Sequence, residues 1–104
     1  MELSEKIIKI LEDKKGLNIS CIDVKDKTIL ADSFIIVSGT SNTHIRALAD
    51  NVEETLKKEN IYPNKIEGYN SNVWILLDYG DVVVHIFTEK EREHYNMDDL
   101  WTRK

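Results

Sequence analysis

A hairpin near the end of the chain constrains the fold more than any other stretch. Residues 74–87 read WILLDYGDVVVHIF, in which two apolar runs flank a short polar turn. A tip at Tyr79 and Gly80 places Asp78 opposite Asp81, because strand pairing proceeds outward residue by residue. The remaining predicted pairs are Leu77 with Val82, Leu76 with Val83, Ile75 with Val84, and Trp74 with His85.

The two faces of this hairpin differ in character, since successive side chains of a strand point to opposite sides. One face is entirely aliphatic and must be the core side. Its members are Val73, Ile75, Leu77, Val82, Val84 and Ile86. The other face mixes aromatic, acidic and aliphatic side chains. Its members are Trp74, Leu76, Asp78, Asp81, Val83, His85 and Phe87.

The residues alone leave two interpretations of the mixed face open. Like charges directly opposite each other cost stability, so Asp78 facing Asp81 indicates a role other than folding. Tryptophan and tyrosine are enriched at binding hot spots, which favours a docking surface whose acids meet Lys or Arg. Alternatively, a helix covers Trp74, Leu76 and Val83 while the two aspartates cap the turn.

The rest of the chain predicts a mixed α/β domain. Apolar residues recur at helical spacing in residues 3–11, and Gly16 is placed for a left-handed helix end. The segment NISCIDV and the run Phe34–Val37 predict strands, and the SGTS turn leads into a second helix with Ser41, Asn42 or Thr43 as N-cap. We expect one domain over residues 1–104, with flanking helices on a mixed β-sheet, in the order helix, strand, strand, helix, short strand, hairpin and terminal helix.

The charge balance argues against a nucleic-acid partner. The chain has 14 Lys and Arg against 19 Asp and Glu, a net charge of −5, which opposes binding to phosphates and favours a basic protein as partner.

Cys21 is the single cysteine, so no intrachain disulfide can form. No apolar run approaches the roughly 20 residues that span a bilayer, and the acidic first residues differ from a secretory signal. We expect a cytoplasmic protein without a membrane or sequence-specific nucleic-acid partner.

Three candidate chemistries have weak sequence support. Asp78, Asp81 and His85 could ligate a metal, but in the expected register the imidazole is about 10–13 Å from the acids. The SGTS turn could bind phosphate, yet neither the Walker nor the dinucleotide glycine pattern is present. Nothing brings Cys21 and His44 together as nucleophile and base. We therefore expect no metal, no cofactor and no catalytic site; the competing hypothesis is a small nucleotidyl or phosphoryl transferase that uses the turn with Asp78 and Asp81.

Several separated motifs resemble the ribosomal silencing factor, or Iojap-like, family. They are EGYNSNVWILLDYGDVVVHIF, then Arg92, Tyr95 and Leu100-Trp101, and upstream ADSFIIVSGTSNTHIRALADNVEETLK. The resemblance runs from about Leu11 to Trp101, in the family's order. The closing motif reads YNMDDLW, where the family more often has Leu and Glu.

This resemblance implies a non-catalytic translational repressor with a nucleotidyltransferase-like α/β architecture. It implies binding to the large ribosomal subunit through ribosomal protein L-fourteen, a steric block to the small subunit, and a homodimer. It also favours docking as the role of the mixed hairpin face. The partner-binding residues that it implies are Trp74, Asp78, Tyr79, Asp81, His85, Arg92, Tyr95 and Trp101.

Overall fold

A computed structural model describes residues 2–102 of the chain, with side chains for 2–100. The elements follow the predicted order, except that the terminal helix is divided in two. Along the chain they are α1 (Leu3–Asp13), β1 (Leu17–Asp23), β2 (Ser33–Gly39), α2 (Asn42–Lys57), β3 (Lys65–Glu67), β4 (Trp74–Asp78), β5 (Val82–Thr88), α3 (Glu89–Tyr95) and α4 (Met97–Thr102).

The described strands form one mixed five-stranded sheet in the order β1-β2-β5-β4-β3. The central pair, β2 and β5, is parallel, and the neighbouring pairs are antiparallel. The predicted α/β class with flanking helices is therefore confirmed. Phe34–Val37 lies in β2, as predicted, and is buried on both faces of the sheet.

The hairpin register differs from the predicted one by two residues. Trp74 pairs with Phe87 and Leu76 with His85, while the Tyr79 N–H donates to the Val82 carbonyl at 2.9 Å. The turn therefore consists of Gly80 and Asp81, and the predicted pairs, including Asp78 with Asp81, are wrong. Gly80 adopts φ +88°, which suits the first central position of a type II′ turn.

A shift of two residues preserves the faces, so the predicted division into an aliphatic and a mixed face survives. Helices α1 and α2 cover the aliphatic face, where Ile75, Leu77, Val84 and Ile86 are fully buried. The exception is Val73, which precedes β4 and is exposed. Helices α3 and α4 lie over the β1, β2 and β5 part of the other face, which leaves the β4 side open.

The ends of α1 and α3 differ from those predicted from the sequence. At the end of α1, Lys15 rather than Gly16 has the left-handed conformation, with φ 65°. A Cβ on Gly16 would lie 2.7 Å from Val37 Cγ2, so glycine is required there by the close approach of β2. The predicted terminal helix is interrupted at Asn96, whose φ of 51° ends α3 before α4 begins.

Ser41, one of the predicted caps of α2, accepts a hydrogen bond from the His44 N–H at 3.1 Å. Among the described residues, no helix has the length and apolar character needed to cross a membrane.

Candidate protein-docking site

The open part of the mixed face is a groove of about 340 Å³ beside β4, here termed the Trp74 groove. Its lining is mainly aromatic and aliphatic and includes two glutamates. The lining residues are Glu67, Gly68, Ser71, Val73, Trp74, Leu76, Glu91 and Tyr95. Apolar floors with polar rims are typical of protein-docking surfaces.

Trp74 forms the centre of the groove and is half-buried. Its ring stacks on Phe87 with centroids 5.0 Å apart, and the centroid of the Tyr95 ring lies 4.8 Å away. Phe87 is fully buried, whereas Tyr95 is 46% exposed. The groove is therefore the exposed edge of an aromatic cluster that is anchored in the core.

His85 lies beneath the groove and is 3% exposed. The Trp74 Nε1–H donates to His85 Nδ1 at 3.3 Å, and the Phe34 ring meets the imidazole edge to face at 4.9 Å. Burial lowers the pKa of His85 to about 4, so the imidazole is neutral at physiological pH. His85 thus contacts Trp74 from inside the protein and does not itself line the groove.

The loop before β4 fixes the groove's rim. Gly68 has φ +74°, and Ser71 Oγ accepts from the Trp74 N–H at 3.1 Å and donates to the Trp74 carbonyl at 2.8 Å. The loop is also tied to α2, because the Tyr69 hydroxyl donates to the Asp50 carboxylate at 3.0 Å. The polar stretch EGYNSN is therefore an ordered support for Trp74.

Arg92 holds the helical side of the groove in place. Its guanidinium donates to both carboxylate oxygens of Asp98, to the Asn18 carbonyl and to Ser38 Oγ at 3.1 Å. Its side chain is 12% exposed. The hydrogen bond from Arg92 lowers the pKa of Asp98. Since the Arg92 guanidinium makes these internal bonds, it fixes the position of α3, which carries Tyr95.

The turn end of the hairpin does not join the groove. Asp78 and Trp74 occupy opposite ends of β4, about 13 Å apart at 3.3 Å per residue. Asp78 Oδ1 accepts from the Gly80 N–H at 2.8 Å and so caps the turn. Tyr79 packs against the core cluster on the α1 and α2 side.

Asp81 is exposed at the turn, away from the groove. The predicted site residues therefore occupy more than one surface. The Trp101 side chain lies outside the described residues.

Sequence reasoning missed Glu67, Glu91, Val73 and the loop glycine. The loop before Trp74 could have been predicted from the sequence, because Gly68 and Asn72 mark an irregular turn just before this aromatic residue. Glu91 and Tyr95 are four residues apart on α3 and so share one helical face. Their meeting with Trp74 depends on how α3 lies over the sheet, which no local pattern encodes.

The parts of the competing transferase site lie apart. The SGTS turn follows the end of β2 that pairs with Thr88, and Asp81 adjoins the end that pairs with Val82. These ends are about 20 Å apart for a strand of this length. The Thr40 N–H already donates to His44 Nδ1 at 2.9 Å. The transferase interpretation is therefore not supported.

Other chemistry is equally unsupported. Within the described part of the chain, no group of His, Cys, Asp and Glu side chains could hold a metal ion. Cys21 is exposed rather than a buried apolar residue, and its pKa is raised by partial burial and then by Asp23, which opposes an activated thiolate.

Comparison with known proteins identifies the family to which the chain belongs. The family model described as "Ribosomal silencing factor during starvation" matches residues 1–104. The ribosomal silencing factor RsfS of Halalkalibacterium halodurans is 34% identical over 100 residues, covering 96% of this chain and 86% of that protein. The mitochondrial Iojap-related protein of Arabidopsis thaliana is 33% identical over 102 residues, covering 93% of this chain and 55% of that protein.

A solved structure gives the same result. The crystal structure of a Chromobacterium violaceum protein superposes with a TM-score of 0.93 at 36% identity and covers 100% of this chain and 89% of that one. The predicted family is confirmed by the family model and the curated relatives together. The chain belongs to the ribosomal silencing factor (RsfS, Iojap-like) family, which assigns it a ribosome-associated silencing role.

Proposed function

We propose that this protein represses translation by docking on the large ribosomal subunit through ribosomal protein L-fourteen, where it sterically blocks the small subunit. The observation that carries the proposal is the Trp74 groove, an apolar surface with Glu67 and Glu91 among its lining residues. Such a surface suits a basic protein. The carboxylates attract Lys and Arg side chains and so raise the association rate, while a desolvated aromatic residue prolongs the lifetime of the complex. Occupancy alone is sufficient, and no bond is broken.

The chemistry of the groove indicates what the partner presents. The Trp74 N–H is occupied by His85, so the indole offers its ring and not a donor. A Lys or Arg side chain fits this arrangement, since its aliphatic stem packs on the ring and its cation interacts with the ring face or a nearby carboxylate. Because the relatives from Halalkalibacterium halodurans and Haemophilus influenzae are bacterial ribosomal silencing factors, we propose a cytoplasmic location for this protein as well.

The test uses purified subunits on sucrose gradients, with and without the protein. We expect the protein to co-sediment with the large subunit and to lower the yield of joined ribosomes. Tyr95→Ala should weaken both effects, because Tyr95 lines the groove and is 46% exposed, so its loss perturbs the core little. Tyr62→Ala is the matched control, since Tyr62 is 59% exposed and does not line the groove. Normal joining in the presence of excess protein would refute the proposal.

Trp74→Ala is a stronger variant with a mixed effect. Truncating a hot-spot tryptophan weakens binding by about 2 kcal/mol or more. Because Trp74 packs against the buried cluster that contains Phe87, this variant should also lower the free energy of unfolding. Its binding must therefore be measured where urea titration shows that it is folded.

We also propose self-association into a homodimer. Two adjacent aliphatic side chains, Ile29 and Leu30, are exposed on the β1–β2 loop, and burial of such surface favours association. Sedimentation equilibrium over a range of concentrations tests this proposal. A mass that stays monomeric at the highest concentration would exclude it.

A further inference from the structure

The contact between Trp74 and His85 has a feature that packing alone does not explain. Indole Nε1–H can only donate, so His85 Nδ1 must be the unprotonated acceptor and the ring proton must sit on Nε2. That Nε2 atom is buried and has no hydrogen-bond partner among the described residues. A buried donor without a partner is destabilising.

The surroundings of His85 would accept a purely apolar ring. Phe34, Trp74 and Phe87 all contact the imidazole, with ring centroids 4.9, 5.9 and 6.3 Å away. Burial away from water lowers the pKa of His85, and no charged side chain contributes to the shift. Phenylalanine at this position would fill similar space and remove the buried Nε2–H, but it would also remove the acceptor of the Trp74 N–H. The acceptor at Nδ1 is therefore the property that histidine adds.

We propose that His85 is a positioning residue for docking: by accepting the Trp74 N–H, it fixes the indole so that the ring forms the floor of the groove. This inference rests on the proposed function, since the groove is the docking site there. Without the acceptor, the indole N–H must seek water or another oxygen. The half-buried ring then rotates and the flat apolar floor is lost.

The role predicts an unusual combination of effects in His85→Phe. Stability should change little, because removal of the buried Nε2–H, which has no partner among the described residues, offsets the loss of the Trp74 hydrogen bond. The Trp74 indole N–H should exchange with water faster. Affinity for the large subunit should fall by about threefold to tenfold, the loss expected for one neutral hydrogen bond. A residue that served the fold alone would lower stability and would not change affinity separately from it.

His85→Asn is the matched rescue variant. Its side-chain oxygen lies close to the place of Nδ1 and can accept from Trp74, whereas the smaller side chain leaves a cavity. We therefore expect a less stable protein with a protected indole N–H and restored affinity. His85→Phe should thus lose affinity and keep its stability, whereas His85→Asn should keep its affinity and lose stability.

The experiment measures three quantities for wild type, His85→Phe and His85→Asn. The first is the exchange rate of the Trp74 indole N–H by nitrogen-15 NMR, with its signal assigned by comparison with Trp74→Phe. The second is the affinity for purified large subunits in a pelleting assay. The third is the midpoint of urea denaturation. An indole N–H in His85→Phe that is as protected as in wild type overturns the inference, as does unchanged affinity. If wild type fails to bind large subunits, the proposed function falls, and the indole exchange still decides whether His85 holds Trp74.

Discussion

The guanidinium of Arg92 lies against the carboxylate of Asp98, with Nε 3.0 Å from Oδ1 and Nη2 2.8 Å from Oδ2. This two-point pair spans the left-handed residue Asn96, which separates α3 from α4. Since the same guanidinium reaches carbonyls of β1, one side chain fixes both short helices to the sheet. The wall of the Trp74 groove that contains Tyr95 depends on this attachment.

We expect Arg92→Ala to lower the free energy of unfolding by about 2–3 kcal/mol, because bonds to a charged group are lost and Asp98 is left without its main partner. Arg92→Lys should recover less than half of this, since an ammonium cannot reproduce the two-point geometry. Urea denaturation measures both. Lys65→Ala is the control: the Lys65–Glu67 pair is 3.9 Å long and exposed, so its loss should change stability by less than about 0.5 kcal/mol. Equal costs for Arg92→Ala and Lys65→Ala would contradict the assignment.

Gly68→Ala should be costly for two independent reasons. Gly68 has φ +74°, and a Cβ there would lie 2.2 Å from the Trp74 carbonyl oxygen. The backbone conformation costs about 1–2 kcal/mol and the overlap about 1–3 more. Gly80→Ala is a matched comparison, because Gly80 has φ +88° but the nearest atom to its Cβ would be 3.4 Å away. Denaturant titration should therefore show a larger loss for Gly68→Ala, together with a changed near-ultraviolet dichroism from Trp74.

The sequence predicted the two faces of the hairpin correctly but misplaced its turn. The faces depend on alternation along each strand, and a register error of two residues leaves alternation unchanged. The turn depends on which residue takes a positive φ. Gly80 supplies it at the first turn position, and a type II′ turn requires glycine at that position. The Gly80-Asp81 dipeptide therefore could have been used to predict the position of the turn.

The candidate site was less predictable than the fold. Asp78 and Tyr79 are close to Trp74 in sequence, yet the extended strand carries them to the opposite end of the sheet. Tyr95 is 21 positions from Trp74 and its ring lies 4.8 Å away. That contact depends on where α3 crosses the sheet, which Arg92 determines through long-range bonds. Patterns within one segment carry no information about such a crossing.

Tyr79→Phe separates the turn end of the hairpin from docking. The Tyr79 hydroxyl oxygen is buried without a hydrogen-bond partner among the described residues, and burial raises the pKa of Tyr79 to about 12. Removing this oxygen should leave the free energy of unfolding unchanged or raise it by up to about 1 kcal/mol. Affinity for the large subunit should not change, since Tyr79 lies away from the groove. A loss of affinity in pelleting assays would place Tyr79 in the interface after all.

His85 should make stability depend on pH in acid. Its pKa is about 4 in the folded protein and 6.5 as its ordinary value, so the unfolded state binds the proton more readily. Stability therefore falls as the pH drops from about 6.5 to about 4, by roughly 3 kcal/mol in total. The lowered pKa of Asp98 has its effect below this window, because its stabilisation is lost only as the pH falls below the ordinary aspartate value of about 3.9. The free energy of unfolding should be measured from pH 7 to pH 4 for wild type and for His85→Phe. The difference between the two gives the contribution of His85 to the pH dependence. If both proteins lose stability equally over this range, the imidazole is not buried as described.

The acids of the groove should control how fast the protein finds its partner. Glu67 and Glu91 both line the groove, and rim charges change the association rate and its salt dependence more than the dissociation rate. The double variant Glu67→Gln, Glu91→Gln should weaken binding to the large subunit by up to about tenfold at low salt, through a slower association rate. The effect should shrink as salt is raised, because screening removes the same attraction.

The control is a second double variant, Glu5→Gln with Glu12→Gln, which has the same net charge. Both glutamates are exposed on α1, and each double variant changes the formal charge from −5 to −3. Stopped-flow association or surface-binding kinetics across a salt series distinguishes the two. Equal rates for both variants would mean that net charge, and not the placement of these two carboxylates beside Trp74, guides the encounter.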